Sequence, residues 1–284
     1  MTTTYTTLIN AAQLQALMRE GAPLVVLDAS FDLADPDAGQ RGYREQHLPG
    51  AHYVHLDRDL SAPKTGTNGR HPLPARETFA ALAGQLGITP ATQVVVYDRQ
   101  GAMYAVRAWW MLRWLGHAAV AVLDGGWAAW QAAGGALSAE IPSLSTGSEP
   151  YLPRKSVAKA IDADILTRLL GRHPLIDARS PERFRGEVEP LDAQAGHIPG
   201  ARNRYFKDNL GPDGHFKSPE QLRAEFLPLL AGAPPGQVVH QCGSGVTACH
   251  NLLAMEHAGL TGSALYPGSW SEWSADPQRP VARH

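Results

Sequence analysis

Two copies of one pattern run through this chain. LVVLDAS (24–30) returns as PLIDARS (174–180), HLPGA (47–51) as HIPGA (197–201), and GGW (125–127) as GSW (268–270). VVVYD, ending at Asp98, and VVHQC, ending at Cys242, keep the same place in that order. The pairs Asp28/Asp177, His47/His197, Asp98/Cys242 and Trp127/Trp270 stand 143 to 150 residues apart, a drift that loop insertions supply. Such a repeat leaves few architectures open. Each copy must close its own core, so the chain of 284 residues is expected to form two like domains of roughly 130 residues each. Between them SAEIPSLSTGSEPYLP (138–153) carries three prolines and four serines with no hydrophobic period, the composition of a linker. The expected boundaries are a first domain over 1–140, a linker over 141–156 and a second domain over 157–284.

Within each copy, short apolar runs rich in β-branched residues alternate with longer amphipathic stretches. That alternation predicts βα units, and hence an α/β fold with a parallel sheet covered by helices on both faces. Strands are expected at Leu24–Asp28, Gln93–Tyr97 and 119–123, and again at 174–177 and 237–241. Helices are expected over 76–86, after Pro74 and before Gly87; over Pro219–Leu230, with Ser218 as N-cap; and over Ala248–His257, closed by Gly259. With 44% hydrophobic and 18% charged residues, 28 glycines and 22 prolines, the composition is that of a globular, loop-rich chain. A formal net charge of -2 supplies no field that would gather nucleic acid or anionic lipid. No apolar run reaches the ~20 residues of a spanning helix, and MTTTYTTLIN lacks the basic and apolar regions of a signal peptide. A soluble, cytoplasmic protein is the expectation.

The chain has two cysteines, Cys242 and Cys249, which excludes a disulfide framework and a four-cysteine zinc site. Any cysteine chemistry therefore rests on one thiol. In an open α/β sheet, ligands bind where the chain leaves the carboxyl end of a strand and enters a helix. Cys242 stands there, after VVHQ and before Gly243, Ser244, Gly245, Val246 and Thr247. The two glycines let such a loop turn its N–H groups inward as an anion-binding nest at a helix N-terminus, and the same field favours a thiolate over a thiol. Cys249, beside Ala248, Leu252 and Leu253, reads as packing instead. A cysteine phosphatase would need an arginine shortly after its nucleophile to grip phosphoryl oxygens, and Ala248 stands there. A thioredoxin-like oxidoreductase would need a second cysteine two residues away, where the chain has Ser244 and Gly245 nearby. What remains is a lone thiolate in an anion cradle, suited to attacking sulfur and holding it as a persulfide.

The HLPGA and HIPGA boxes, the strand ending in Cys242 and GSWSEW (268–273) together resemble the tandem rhodanese family, sulfurtransferases of two rhodanese-like domains, over nearly the whole chain. CGSGVTA (242–248) is similar to the active-site loop of the 3-mercaptopyruvate branch of that family; the thiosulfate branch has an Arg-Lys pair where this chain has Gly243 and Ser244. A neutral loop suits a donor whose charge is a distant carboxylate better than it suits the thiosulfate dianion. The resemblance implies a catalytically silent first copy, with Asp98 at the cysteine position, and a relay of Ser244, His71 and Asp57. It further implies that Arg183, in SPERFRG, holds the donor carboxylate. A second arginine usual after the acidic-proline segment is missing, since EVEPLDA has Leu191 and Asp192 there. Arg179 is expected to bond within its own domain beside Asp177. His47 and His197 read as anchors of a turn, and Trp109, Trp110, Trp127, Trp270 and Trp273 as packing. The function implied is transfer of sulfur from 3-mercaptopyruvate through a Cys242 persulfide to cyanide or to a small or protein thiol, releasing pyruvate. No metal, organic cofactor, nucleic acid or membrane partner is expected. A thiosulfate:cyanide sulfurtransferase and a non-enzymatic sulfur carrier or binding module stay open.

Overall fold

Val94, Val95, Val96 and Tyr97 are all fully buried, and a strand apolar at successive positions has to be covered on both faces. In the computed structural model, which describes residues 3–144 and 151–283, these residues lie in strand β4 (Gln93–Tyr97), the middle strand of a five-stranded parallel sheet. The other strands are β1 (Leu8–Ile9), β2 (Leu24–Asp28), β3 (His52–Tyr53) and β5 (Val120–Leu123), in the order β1-β5-β4-β2-β3. The helices are α1 (Ala11–Glu20), α2 (Ala38–Glu45), α3 (Arg76–Gln85), α4 (Ala105–Trp114) and α5 (Gly126–Ala132). Local signals set the ends of α1: Asn10 and Gln13 form a reciprocal capping box, and Gly21 closes the helix at φ 64°. Its Leu14 and Leu17 join Val26, Val95, Leu123 and Trp130 in one apolar cluster.

The second sheet repeats the first strand for strand. It contains β6 (Lys159–Ala160), β7 (Leu175–Asp177), β8 (Ala201–Asn203), β9 (Val239–Gln241) and β10 (Ala264–Leu265), all parallel, in the order β6-β10-β9-β7-β8. Its helices are α6 (Ala163–Leu169), α7 (Pro181–Arg185), α8 (Pro219–Leu230), α9 (Ala248–His257) and α10 (Ser269–Trp273). Ser218 caps α8 as the sequence predicts, paired reciprocally with Gln221. Three expected strands are shorter than their apolar runs: Ala119, Pro174, Gln237 and Val238 fall outside them. Pro174 has no N–H to give to a ladder, and Pro235–Gln237 closes a 3-10 turn instead of extending β9. Leu86 is the C-cap of α3 and not its last residue.

The described residues divide into two compact units that do not follow one cut in the sequence. One comprises Met1–Ser61, Pro74–Val157 and Asp213–His215, the other Ala62–Leu73, Ala158–Pro212 and Phe216–His284. A twelve-residue segment from the first half, carrying Arg70 and His71, thus belongs with the second sheet. Of the expected linker, residues 145–150 lie outside the described residues. Among the described residues no helix is long and apolar enough to cross a membrane.

Candidate active site

The carboxyl end of the middle strand is the point to which the topology directs chemistry, because neighbouring connections diverge there and leave a crevice. Cys242 directly follows β9, and five residues separate it from α9. Its side chain is nearly buried, and its Sγ accepts the N–H of Gly245 at 3.2 Å. Gly245 has φ +75°, and a Cβ there would lie 2.3 Å from the Pro267 carbonyl oxygen, so only glycine presents this amide to the sulfur. Val246 and Thr247 open α9, their carbonyls accepting from Cys249 and His250 at 3.1 Å each.

The segment at α10 holds the backbone of Cys242. The Cys242 carbonyl accepts Trp270 N–H at 3.0 Å, and the Cys242 N–H donates to Ser269 Oγ at 3.1 Å, which in turn donates to the Tyr266 carbonyl at 2.9 Å. Ser269 does this at φ +55°, in the left-handed region that costs a side-chain-bearing residue about 1–2 kcal/mol. The first unit makes the same turn at Gly126, also at φ +55°, and the Asp98 carbonyl accepts Trp127 N–H at 3.0 Å. Where the first copy has a relaxed glycine, the second carries a strained serine whose hydroxyl ties down the cysteine.

Asp98 shows what a loop of this kind binds. Its carboxylate accepts four backbone N–H groups: Gln100 and Ala102 on Oδ1, each at 2.9 Å, and Tyr104 and Ala105 on Oδ2 at 2.8 and 2.9 Å. Burial pushes this carboxyl above its ordinary range, with the four amides opposing it. The first copy therefore holds its own side-chain anion where the second holds a thiol.

Of the expected relay, Ser244 and His71 meet: His71 Nδ1 lies 2.7 Å from Ser244 Oγ, both residues buried within the second unit. Asp57 belongs to the first unit, in a turn where its N–H donates to His55 Nδ1 at 3.1 Å. Arg183, on α7, reaches the loop. A Cβ on Gly243 would lie 3.4 Å from Arg183 Nη1 and 3.5 Å from Nη2. It would also lie 2.8 Å from Nη2 of Arg70, a residue that reading the sequence did not single out. The signal available for it was adjacency to His71. Arg70 supplies a second guanidinium beside Cys242, while Leu191, at the position of the missing arginine, is exposed. Asp192 joins both cations, with Arg70 Nη1 on Oδ1 and Arg183 Nη2 on Oδ2 at 3.2 Å. Glu189 shares Arg183 Nη2, at 2.7 and 3.0 Å, and also accepts from Nε at 3.3 Å. Burial pushes the Asp192 carboxyl above its ordinary range, with Arg70 and Arg183 pulling it down and Glu189 pushing it up.

The remaining residues sit in structural contacts. Cys249 is fully buried on α9, its thiol 3.4 Å from the Gly245 carbonyl. Arg179 chelates Asp177, with Nη2 at 2.7 Å from Oδ2, and lies over the Trp270 ring. His47 and His197 stack on Tyr43 and Phe184 and place Nδ1 at 2.7 and 2.8 Å from the carbonyls of those same residues. Trp109, Trp110, Trp127, Trp270 and Trp273 are all buried.

A model of the rhodanese-like domain matches residues 10–133 and again 162–276. A probable 3-mercaptopyruvate sulfurtransferase from Pseudomonas aeruginosa is 51% identical over 279 residues, covering 97% of each chain. A putative thiosulfate sulfurtransferase, SseB, from Mycobacterium tuberculosis is 41% identical over 277 residues, covering 97% of this chain and 96% of its own. Among solved structures, the 3-mercaptopyruvate sulfurtransferase from Leishmania major superposes with a TM-score of 0.83 at 31% identity, covering 97% of this chain and 76% of that one. With the twice-matched domain, the twice-built sheet and a relative of such identity along its length, this chain belongs to the rhodanese family, as a tandem of two rhodanese-like domains.

Proposed function

We propose that the protein transfers sulfur from 3-mercaptopyruvate through a persulfide on Cys242, and that its first domain is catalytically silent. The thiolate of Cys242 attacks the donor sulfur; the S–S bond forms as the C–S bond breaks, and the electron pair leaves with carbon as the enolate of pyruvate. A proton from the Ser244 hydroxyl, replaced through His71, quenches the enolate carbon. Asp57 as the carboxylate behind His71 rests on the family resemblance. Cyanide or a thiolate then attacks the outer sulfur, leaves as thiocyanate or a new persulfide, and returns Cys242 to its thiolate. The donor carboxylate is met by Arg183 and Arg70, whose planar forks suit it. The backbone amides of Gly243, Gly245, Val246 and Thr247 line the anion's path. This chemistry calls for no metal or organic cofactor, and a nucleophilic thiol fits the reducing cytoplasm.

The observation that carries this reading is the Gly245 N–H aimed at Cys242 Sγ, with two guanidiniums closing over the adjacent Gly243. The alternative donor is thiosulfate, whose oxygens the same two guanidiniums can also meet. The test is mass spectrometry after incubation with each donor. Cys242 is expected to gain one sulfur from 3-mercaptopyruvate and lose it to cyanide. Cys242→Ser should abolish that gain, and Cys249→Ser should keep most of it. Equal loss in both variants would overturn the assignment, and a gain from thiosulfate alone would move the protein to the other branch.

A further inference from the structure

Asp192 occupies an odd place for an acid in a site that has to attract one. It is nearly buried, its side chain 5% exposed, and it spends each oxygen on a different arginine of the candidate donor site. The guanidinium atoms it holds are Arg70 Nη1 and Arg183 Nη2, while Arg70 Nη2 and both terminal nitrogens of Arg183 face Gly243, the residue after Cys242. The carboxylate thus works as a yoke that sets the gap between the two forks.

It also sets the charge. Arg70, Arg183 and Arg179 are joined by ion pairs to Asp192, Glu189 and Asp177, with Arg179 Nη1 at 3.4 Å from Glu189 and Nη2 at 2.7 Å from Asp177. Three cations meet three anions, so the cluster beside Cys242 is formally neutral although its donor-facing edge is made of guanidinium N–H groups. A neutral edge of directed donors binds a carboxylate through hydrogen-bond geometry. A net positive edge would reward each added ligand charge, and would reward a dianion twice.

Resting on the sulfurtransferase reading above, we infer that Asp192 is a specificity-determining residue: by yoking Arg70 to Arg183 and cancelling their surplus charge, it tilts the site toward monoanionic keto-acid donors and away from dianions such as thiosulfate. It acts through the two arginines and is a positioning residue. Removing its charge while keeping its shape should strengthen anion binding by roughly tenfold per unit of ligand charge, so a dianion gains about tenfold over a monoanion.

The test needs no turnover. Alkylation of Cys242 by iodoacetamide, a neutral reagent, is followed by peptide mass mapping while pyruvate or sulfate protects the thiol. In the unmodified protein, pyruvate should protect at a concentration at least several-fold lower than sulfate. In Asp192→Asn, the half-protecting concentration of sulfate should fall about tenfold relative to that of pyruvate, and Asp192→Glu should restore the original ratio. A residue that only supported the fold would weaken both anions together. Equal shifts in D192N, no protection by either anion, or tighter protection by sulfate in the unmodified protein would each overturn the inference. The last two hold even if D192N fails to fold. Failure of the reading beneath it looks different: protection as expected, but no sulfur gained on Cys242 from either donor.

Discussion

Gly245→Ala is the substitution that most directly separates the anion cradle from the rest of the site. Its cost follows from two observations. At φ +75° a side chain is strained by about 1–2 kcal/mol. The new Cβ would also lie 2.3 Å from the Pro267 carbonyl oxygen and 2.9 and 3.0 Å from the Pro267 Cα and carbonyl carbon, all rigid backbone. Reaching ordinary contact requires the loop to recede by about an ångström. The Gly245 N–H then draws away from Cys242 Sγ, where it now donates at 3.2 Å. A hydrogen bond to a charged acceptor contributes about 1.5–3 kcal/mol, so the reaction of Cys242 should slow about ten- to a hundredfold. The assay is the rate of Cys242 alkylation near neutral pH, with circular dichroism to establish that the variant is folded. Gly243→Ala is the comparison: the atoms nearest its Cβ are the flexible ends of Arg70 and Arg183, so alkylation should stay near the original rate while donor KM rises. A folded Gly245→Ala protein that alkylates at the original rate would show that the loop amide does not hold the thiolate, and the proposed chemistry would lose its nucleophile.

Two further outcomes follow from buried groups of the second unit. Ser269→Ala keeps the left-handed turn at φ +55° but strips the acceptor from the Cys242 N–H, so urea unfolding should show a loss of about 1–3 kcal/mol; Ser269→Gly relieves the strain and should lose less. Equal stability of Ser269→Ala and the parent would show that the hydroxyl ties nothing down. His240, wholly buried with Nε2 at 3.2 Å from Met255 Sδ, has its imidazole pushed down to about 3 by burial. Because the folded pKa is depressed, the unfolded chain takes up the proton first as pH falls. Stability is therefore present above about 6.5 and is lost on acidification toward 3, at up to ~1.4 kcal/mol per pH unit. His240→Val, which copies Val96 of the first sheet, should flatten that dependence in urea titrations between these limits; an unchanged slope would assign the acid sensitivity elsewhere.

The repeat, the parallel α/β architecture and the placement of Cys242 at the end of a middle strand are all legible in the chain. Each depends on signals a few residues long: apolar runs of strand length, capping residues such as Ser218, and glycines where the backbone must turn. Limits of the same kind explain the strand ends that differ. Pro174 and the prolines before Gln237 are as apolar-flanked as their neighbours, but cannot take full part in a ladder. The strained Ser269 was visible only as GSW standing where the first copy has GGW, and its hydroxyl's role depends on a neighbour 27 residues away.

The charge cluster beside Gly243 was beyond local reading. Arg70 and Asp192 meet across 122 residues of sequence, and His71 and Ser244 across 173. The sequence pointed to a missing arginine at Leu191, while the fold brings Arg70 to the loop on a segment of the first half that packs with the second sheet. Periodicity and backbone preference determine which elements form and where Cys242 stands, because those forces act between near neighbours. Which charges converge on it, and whether they cancel, is decided only when distant segments are packed together, because ion pairing depends on separation in space and leaves no periodic trace along the chain.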